Sequence, residues 1–358
     1  MDLIHKFLNI VFPLISLITI PPFLVFKSIN FIVKWVCSET ENVAGKVVLI
    51  TGASSGIGEH LAYEYAKKGA CLALVARRED CLQVVAGKAQ ELGSPDVISI
   101  RGDVSEVDDC RIFVAEAMNH FGRCVKKMGF FYDLNHTIPM LDDFNATVDH
   151  LVNNAGIAPV CMFEDYADVT NHASVMNINF WGSVYSTHFA IPHLRKSKGK
   201  IIVISSCAGW LPTPRLSLYS ASKGALISFY ETLRTEVGSD IGITIVTPGL
   251  IESEITQDEF LTKAKLKIIP RLSTERCAEA ILNSTCRGER YLTEPAWTRV
   301  MMLWRLLCPE VHDGCNHFFL IDRPNHERMM QNNRIQDQSA ERNYVNRTSV
   351  VSLEFKAD

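Results

Sequence analysis

An α/β protein with a doubly wound, parallel, seven-stranded sheet is what this sequence predicts, on three observations. Short β-rich runs alternate with helical stretches from Gly45 onward, seven such runs occur, and the first enters its helix through a glycine-rich turn. The expected strands are Val47 to Thr51, Leu72 to Ala76, Val97 to Arg101, His150 to Asn153, Ile201 to Ser205, Ile243 to Thr247 and Tyr291 to Thr293. Between them His60 to Lys68, Asp109 to Phe121, Ser174 to Leu194 and Ala221 to Val237 carry helical periodicity. The 358 residues, 47% hydrophobic and 21% charged, exceed a minimal domain and leave ample core. A net charge of -4 argues against a nucleic-acid partner, because neutralising phosphates needs a concentrated basic face. Eleven scattered cysteines with no CxxC pair favour neither a disulfide framework nor a metal site, and fit a reducing compartment.

The chain before Gly45 is different. Phe7 to Phe26 carries no charge over about the length that crosses a bilayer, but Pro13 and the pair Pro21-Pro22 interrupt it. Apolar residues resume at Phe23 to Phe26 and Phe31 to Val33, unlike the small-residue end of a cleaved signal peptide. The expectation is a retained apolar anchor, with a bent or interfacial geometry favoured over a simple span. The domain plan is an anchor and linker over 1–45, a dinucleotide-binding domain over 46–295 and a C-terminal extension over 296–358, partly disordered. Two stretches break the rhythm. Residues 124–147 intervene where a helix should turn straight into a strand, and read either as a genuine loop or as an error in the gene model. From Asn325 the chain is polar and aperiodic. Val300 to Leu307, with Trp297 and Trp304, is an apolar helix that could cap a cleft, touch a membrane or simply pack.

The turn running Gly52, Ser54, Ser55, Gly56, Ile57, Gly58 joins the first strand to the first helix. Glycines let the backbone approach a pyrophosphate, and the helix that follows directs free amides at the anion. This is the arrangement of a Rossmann-type fold. Where an acidic residue would meet the ribose hydroxyls of NAD, the second strand ends in Arg77 and Arg78. Guanidinium groups attract a 2'-phosphate, so NADP is preferred; Glu79 and Asp80 follow at once and offer the arginines an alternative pairing. Downstream, Tyr219 and Lys223 stand four apart on one helix face, where an ammonium would lower the phenol's pKa toward the working range.

Together the glycine turn, Asn153-Asn154-Ala155-Gly156, Asn179, Ser206 and Tyr219-x-x-x-Lys223 resemble the classical short-chain dehydrogenase/reductase family over roughly Gly45 to Pro295. The resemblance implies that Tyr219 exchanges the proton, Lys223 also binds the nicotinamide ribose, Ser206 holds the substrate oxygen and Asn179 holds a relay water. It further implies cofactor contacts at Asp103, Val104, Asn153, Ala155, Gly156, Pro248, Gly249, Ile251 and Ser253, the last standing where the family commonly has threonine. The anchor, Ala76-Arg-Arg-Glu-Asp80, Pro248-Gly-Leu-Ile-Glu-Ser-Glu254 and Glu294-Pro-Ala-Trp297 look like the 11β-hydroxysteroid dehydrogenase-like enzymes of steroleosin type.

That resemblance implies hydride transfer between NADP(H) and a secondary alcohol or ketone on a hydrophobic, sterol-like substrate. It implies a lipid-droplet or endoplasmic-reticulum surface with the catalytic domain facing cytosol, and a homodimer through the helices that carry Asn179 and Tyr219. A cytosolic face would leave the sequons at Asn135, Asn145, Asn283 and Asn346 unglycosylated. A substrate lid is expected from Leu250 to Leu272, with Phe260, Leu261, Leu266, Ile268 and Ile269 as its apolar surface. The rival reading is a non-catalytic sterol-binding or droplet-coat protein on the same scaffold.

Overall fold

The computed structural model describes residues 40–129 and 147–321, with a few positions between 11 and 26. The chain divides into two compact units, Met1–Asn42 and Val43–Asp358. In the first, the described positions between 11 and 26, Pro21 and Pro22 among them, have helical backbone. Among the described residues no helix is long and apolar enough to cross a membrane. The rest of the expected anchor, most of the 124–147 segment and the tail from Asp322 lie outside the described residues.

In the second unit the strands are β1 (Val47–Thr51), β2 (Cys71–Ala76), β3 (Val97–Arg101), β4 (His150–Asn153), β5 (Lys200–Ile204), β6 (Gly242–Pro248) and β7 (Tyr291–Glu294). They form one parallel sheet in the order β3-β2-β1-β4-β5-β6-β7, so the winding reverses between β1 and β4. All five residues of β1 are buried, because helices cover both faces of the sheet and strand alternation sends neighbouring side chains to opposite layers. Val48 and Ile50 join the core under α1 (Gly56–Lys67), α2 (Glu79–Glu91) and α8 (Thr274–Cys286). Val47 and Leu49 join the core under α3 (Val107–Gly129), α5 (Gly182–Ser197) and α6 (Ser217–Val237).

Two helices depart most from the expected course. α3 runs on to Gly129 instead of stopping at Phe121, so the 124–147 segment begins as a continuation of that helix. Gly122 alone costs only about 1 kcal/mol in a helix, and Arg123, Lys126, Lys127 and Met128 are favourable helix formers. The helix expected over Ser174 to Leu194 is broken into a short α4 (Ala173–Met176), a π-helical turn at Asn177–Trp181 and then α5. Such wide turns often mark functional sites, and this one carries Asn179. The lid segment holds α7 (Asp258–Lys263), whose Leu261 packs with Ala264 and Leu266, whereas Ile268 is 91% exposed. Beyond β7, the apolar run forms α9 (Thr298–Leu307), followed by α10 (Pro309–Leu320).

Candidate active site

A cleft of about 420 Å³ opens at the carboxyl ends of the strands, where the winding reverses between β1 and β4. That place is where open α/β sheets bind ligands, because the loops diverge there and leave a crevice. Its floor is the turn after β1. Gly52 has φ +65°, and a Cβ there would stand 2.7 Å from the Ala155 backbone; Gly56 has φ +61°. These two conformations and that close approach exclude ordinary side chains, so the turn is a cradle that only bare backbone can make.

Gly58 works differently from expectation. It does not line the cleft; a Cβ at this position would strike the Gly52 carbonyl oxygen, so its role is to let α1 lie against the turn. Asn153 is a second correction. Expected on the cofactor wall, it is 2% exposed, and its Nδ2 donates to Thr187 Oγ1 at 2.8 Å and to Tyr230 Oη at 2.9 Å, inside the layer beneath α5 and α6. Its neighbour Asn154 faces the cleft instead, donating from Nδ2 to the carbonyl oxygens of Thr51 at 3.1 Å and Gly52 at 3.0 Å. Strand alternation could have found this, since adjacent residues at the end of β4 must point to opposite sides. The backbone of Asn154 also donates to Thr51 Oγ1 at 3.1 Å, which locks the two loops together.

At one end of the cleft stand Arg77, Arg78, Asp103 and Val104. Arg77 Nη1 is 3.6 Å from Asp103 Oδ2. Burial raises the Asp103 carboxyl, but hydrogen bonds from Ser105 and the Arg77 guanidinium outweigh it and hold it below its ordinary value. Arg78 reaches Ser54, Ser55 and, at 2.8 Å, Glu254.

At the other end Ser206, Tyr219 and Lys223 meet Pro248, Gly249, Ile251 and Ser253, with Ala155 and Gly156 along the wall. Ser206 follows β5, caps a single turn by accepting from the Ala208 amide at 3.1 Å, and points toward the Pro248 carbonyl at 3.4 Å. Tyr219 and Lys223 sit in the first turns of α6, four apart and therefore on one face. Lys223 is 4% exposed; its Nζ donates to the Ile204 carbonyl at 2.8 Å and lies 5.8 Å from the centre of the Tyr219 ring.

The electrostatics depart from the expected tuning of the phenol by the lysine. Tyr219 is only part-buried by surface area but is crowded by protein, and that desolvation pushes its phenol up to about 12, with a hydrogen bond from Ser206 pulling the other way. Desolvation also lowers Lys223 to about 8. Loss of water dominates both groups, and the lysine Nζ donates to the Ile204 carbonyl.

Asn179 is fully buried and outside the cleft lining. Its Oδ1 accepts from the Ile157 amide at 2.8 Å, and its Nδ2 donates to the Ile157 carbonyl and to Ser222 Oγ, each at 2.9 Å. The side chain thus clamps the loop after β4 onto α6, a positioning task. The residues present fit a dinucleotide: a glycine cradle at a helix start, cationic side chains at one end, and a hydroxyl, a phenol and an amine at the other. Among the described residues no cluster of His, Cys, Asp or Glu could hold a metal.

Comparison with known proteins decides the family. The sequence matches the short chain dehydrogenase family over residues 46–125 and 138–264. The chain belongs to that family. Against curated relatives it is 51% identical to "11-beta-hydroxysteroid dehydrogenase A" of Sesamum indicum, over 87% of this chain and 86% of that protein. It is 44% identical to "11-beta-hydroxysteroid dehydrogenase 1A" of Arabidopsis thaliana, in an alignment spanning 100% of each. It is thus a dehydrogenase of the hydroxysteroid dehydrogenase type. Among solved structures, a short chain dehydrogenase/reductase of Burkholderia phymatum in complex with NAD superposes with a TM-score of 0.63 at 22% identity, over 76% of this chain and 96% of that one. A 3-ketoacyl-(acyl-carrier-protein) reductase of Brucella melitensis complexed with NADH does so at 0.57 and 25%, over 70% and 97%. The family match omits 126–137, which falls within the 124–147 segment that breaks the rhythm of the sequence.

Proposed function

We propose that this chain is an NADP(H)-dependent oxidoreductase that interconverts a secondary alcohol and a ketone on a hydrophobic, sterol-like substrate. The observation that carries the reading is that Ser206, Tyr219 and Lys223, far apart from Gly52 and Gly56 in sequence, line the same cleft as that glycine cradle. When bound, the nicotinamide supplies or accepts the hydride; the protein supplies orientation and proton transfer. Ser206 orients the substrate oxygen by hydrogen bonding, and Tyr219 gives that oxygen its proton or takes it back. Lys223, lowered only to about 8, is still mostly charged at neutral pH. Its ammonium favours the phenolate as it forms. The names of the Sesamum and Arabidopsis relatives support the sterol-like substrate class. Arg77 and Arg78, which follow β2, support NADP over NAD.

The proposed setting is a lipid-droplet or endoplasmic-reticulum surface, with the catalytic domain facing cytosol. The uncharged stretch Phe7 to Phe26 supports it. So do Met302, Leu303, Trp304, Leu306, Leu307 and Phe318, all exposed on α9 and α10 of the catalytic unit. A homodimer is supported by Trp181, exposed in the π-helical turn just before α5 and stacked on Tyr185 with ring centres 5.6 Å apart.

The test is to purify the chain in detergent and follow NADPH absorbance with a panel of ketosteroids and hydroxysteroids, alongside Tyr219→Phe. Turnover that vanishes in the variant is expected; cofactor binding with no turnover of any substrate would sink the enzymatic reading. Flotation tests the setting: if deleting Met1 to Val36 leaves the fraction recovered with membranes unchanged, the anchor assignment fails.

A further inference from the structure

The arginines that recommend NADP are not free in this structure, and their partners are not the acidic residues that follow them in sequence. Arg77 pairs with Asp103, from the loop after β3, and Arg78 pairs with Glu254, 176 residues away on the turn Glu254–Thr256 after β6. Glu254 Oε2 stands 2.8 Å from Arg78 Nη2, and the same nitrogen reaches Ser55 Oγ at 2.7 Å and Ser54 Oγ at 3.2 Å. Arg78, Ser54, Ser55 and Glu254 all line the cofactor cleft, so this pair ties its two sides together at the cradle.

We propose that Glu254 is a specificity-determining residue: its carboxylate holds the guanidinium that a 2'-phosphate would take, forming a latch that NADP(H) displaces and NAD(H) leaves closed. The inference rests on the NADP reading given above.

Three features support it. The first is exchangeability: both side chains are about half exposed, 48% for Arg78 and 51% for Glu254, so the pair is weakly held and water can reach it. The second is charge. A phosphate monoester carries about -1.5 to -2 and three acceptor oxygens, whereas the carboxylate carries one charge, so the phosphate wins the fork of donors. Ribose hydroxyls bring no charge and cannot compete. The third is placement. Glu254 opens the turn that leads into α7, and Ser253 and Thr256 brace that turn through a bond from the Ser253 amide to Thr256 Oγ1 at 3.0 Å. The latch therefore joins the ribose end of the cofactor site to the segment expected to cover substrate.

Competition of this kind taxes the ligand by the fraction of sites in which Arg78 is engaged. The full chain in detergent is titrated with NADP+ and with NAD+ by quenching of protein fluorescence, in the natural protein, E254Q, R78A and the double variant. E254Q is expected to bind NADP+ about two- to fivefold more tightly, the worth of an exposed pair, with NAD+ affinity unchanged. In the R78A background, E254Q should have no effect on NADP+ affinity, because the competition passes through that guanidinium. Tightening of equal size in both backgrounds means long-range repulsion and overturns the latch. Weaker NADP+ binding in E254Q means that Glu254 aligns Arg78 and overturns it as well. If R78A alone leaves NADP+ affinity unchanged, the NADP reading itself fails; if R78A weakens NADP+ and E254Q changes nothing, only the latch does. A melting temperature close to that of the natural protein in all three variants is the control for folding.

Discussion

Two tyrosines on α6 separate what this helix does for chemistry from what it does for the fold. Tyr219 faces the cleft, whereas Tyr230 is fully buried three turns further on. The Tyr230 hydroxyl donates to the Ser183 carbonyl at 3.0 Å, accepts from Asn153 Nδ2 at 2.9 Å and shares a 2.7 Å hydrogen bond with Thr187 Oγ1. Replacing it by phenylalanine removes all three while keeping the ring. At about 1 kcal/mol for each buried hydrogen bond, Tyr230→Phe is destabilised by about 3 kcal/mol, and a domain of this size loses about 2–4 °C per kcal/mol, so its melting temperature falls by about 6–12 °C. Its turnover at 25 °C stays within about twofold, because no atom of Tyr230 reaches the cleft. Tyr219→Phe does the reverse. It melts within about 2 °C of the natural protein and loses about 10²- to 10⁴-fold in kcat, the usual worth of a positioned acid or base. Thermal melts and initial rates of NADPH oxidation on the same preparations read both effects. The assignment is refuted if Tyr230→Phe loses turnover at unchanged stability, or if Tyr219→Phe keeps it.

Further expectations follow from the same geometry. Gly58→Ala would place a Cβ against the Gly52 carbonyl and 2.5 Å from Asn154 Nδ2, and overpacking of about 1–3 kcal/mol should weaken dinucleotide binding by about 5- to 150-fold; unchanged affinity in a fluorescence titration would contradict the cradle. Lys223 titrates at about 8 in the folded protein against its ordinary 10.5. Between pH 8 and 10 the unfolded chain therefore binds a proton that the folded one has lost, and this residue's contribution to stability rises with pH. Urea midpoints should climb more from pH 8 to 10 in the natural protein than in Lys223→Met, and parallel curves would refute it. Tyr219, raised to about 12 from 10.0, acts in the opposite sense only above pH 10, outside that window. Replacing Leu303, Leu306 and Leu307 by serine removes exposed apolar surface from α9 and should reduce recovery with liposomes at an unchanged melting temperature; equal recovery would detach that face from the membrane proposal.

Much of this was legible in the sequence because it is local. Val47 to Thr51 and His150 to Asn153 are strands with the expected bounds, since buried parallel strands are continuous apolar runs closed by turn residues. The spacing of four between Tyr219 and Lys223 needs only a helix to become a shared face. The glycines of the turn announce themselves because no other residue accepts φ near +60° at so little cost.

The sequence by itself determined the layered α/β class, the cradle and the set of groups that can do the chemistry. The tertiary structure decided how those groups are used. It turned Asn153 into the core and Asn154 to the cleft, and committed Asn179 to holding a loop. It also set Arg78 against Glu254 instead of its sequence neighbours, and let desolvation rather than the lysine set the phenol. The physical reason is shared. Periodicity and turn chemistry act over a few residues, whereas burial and charge pairing depend on atoms brought together from distant strands, and no short window of sequence contains both partners.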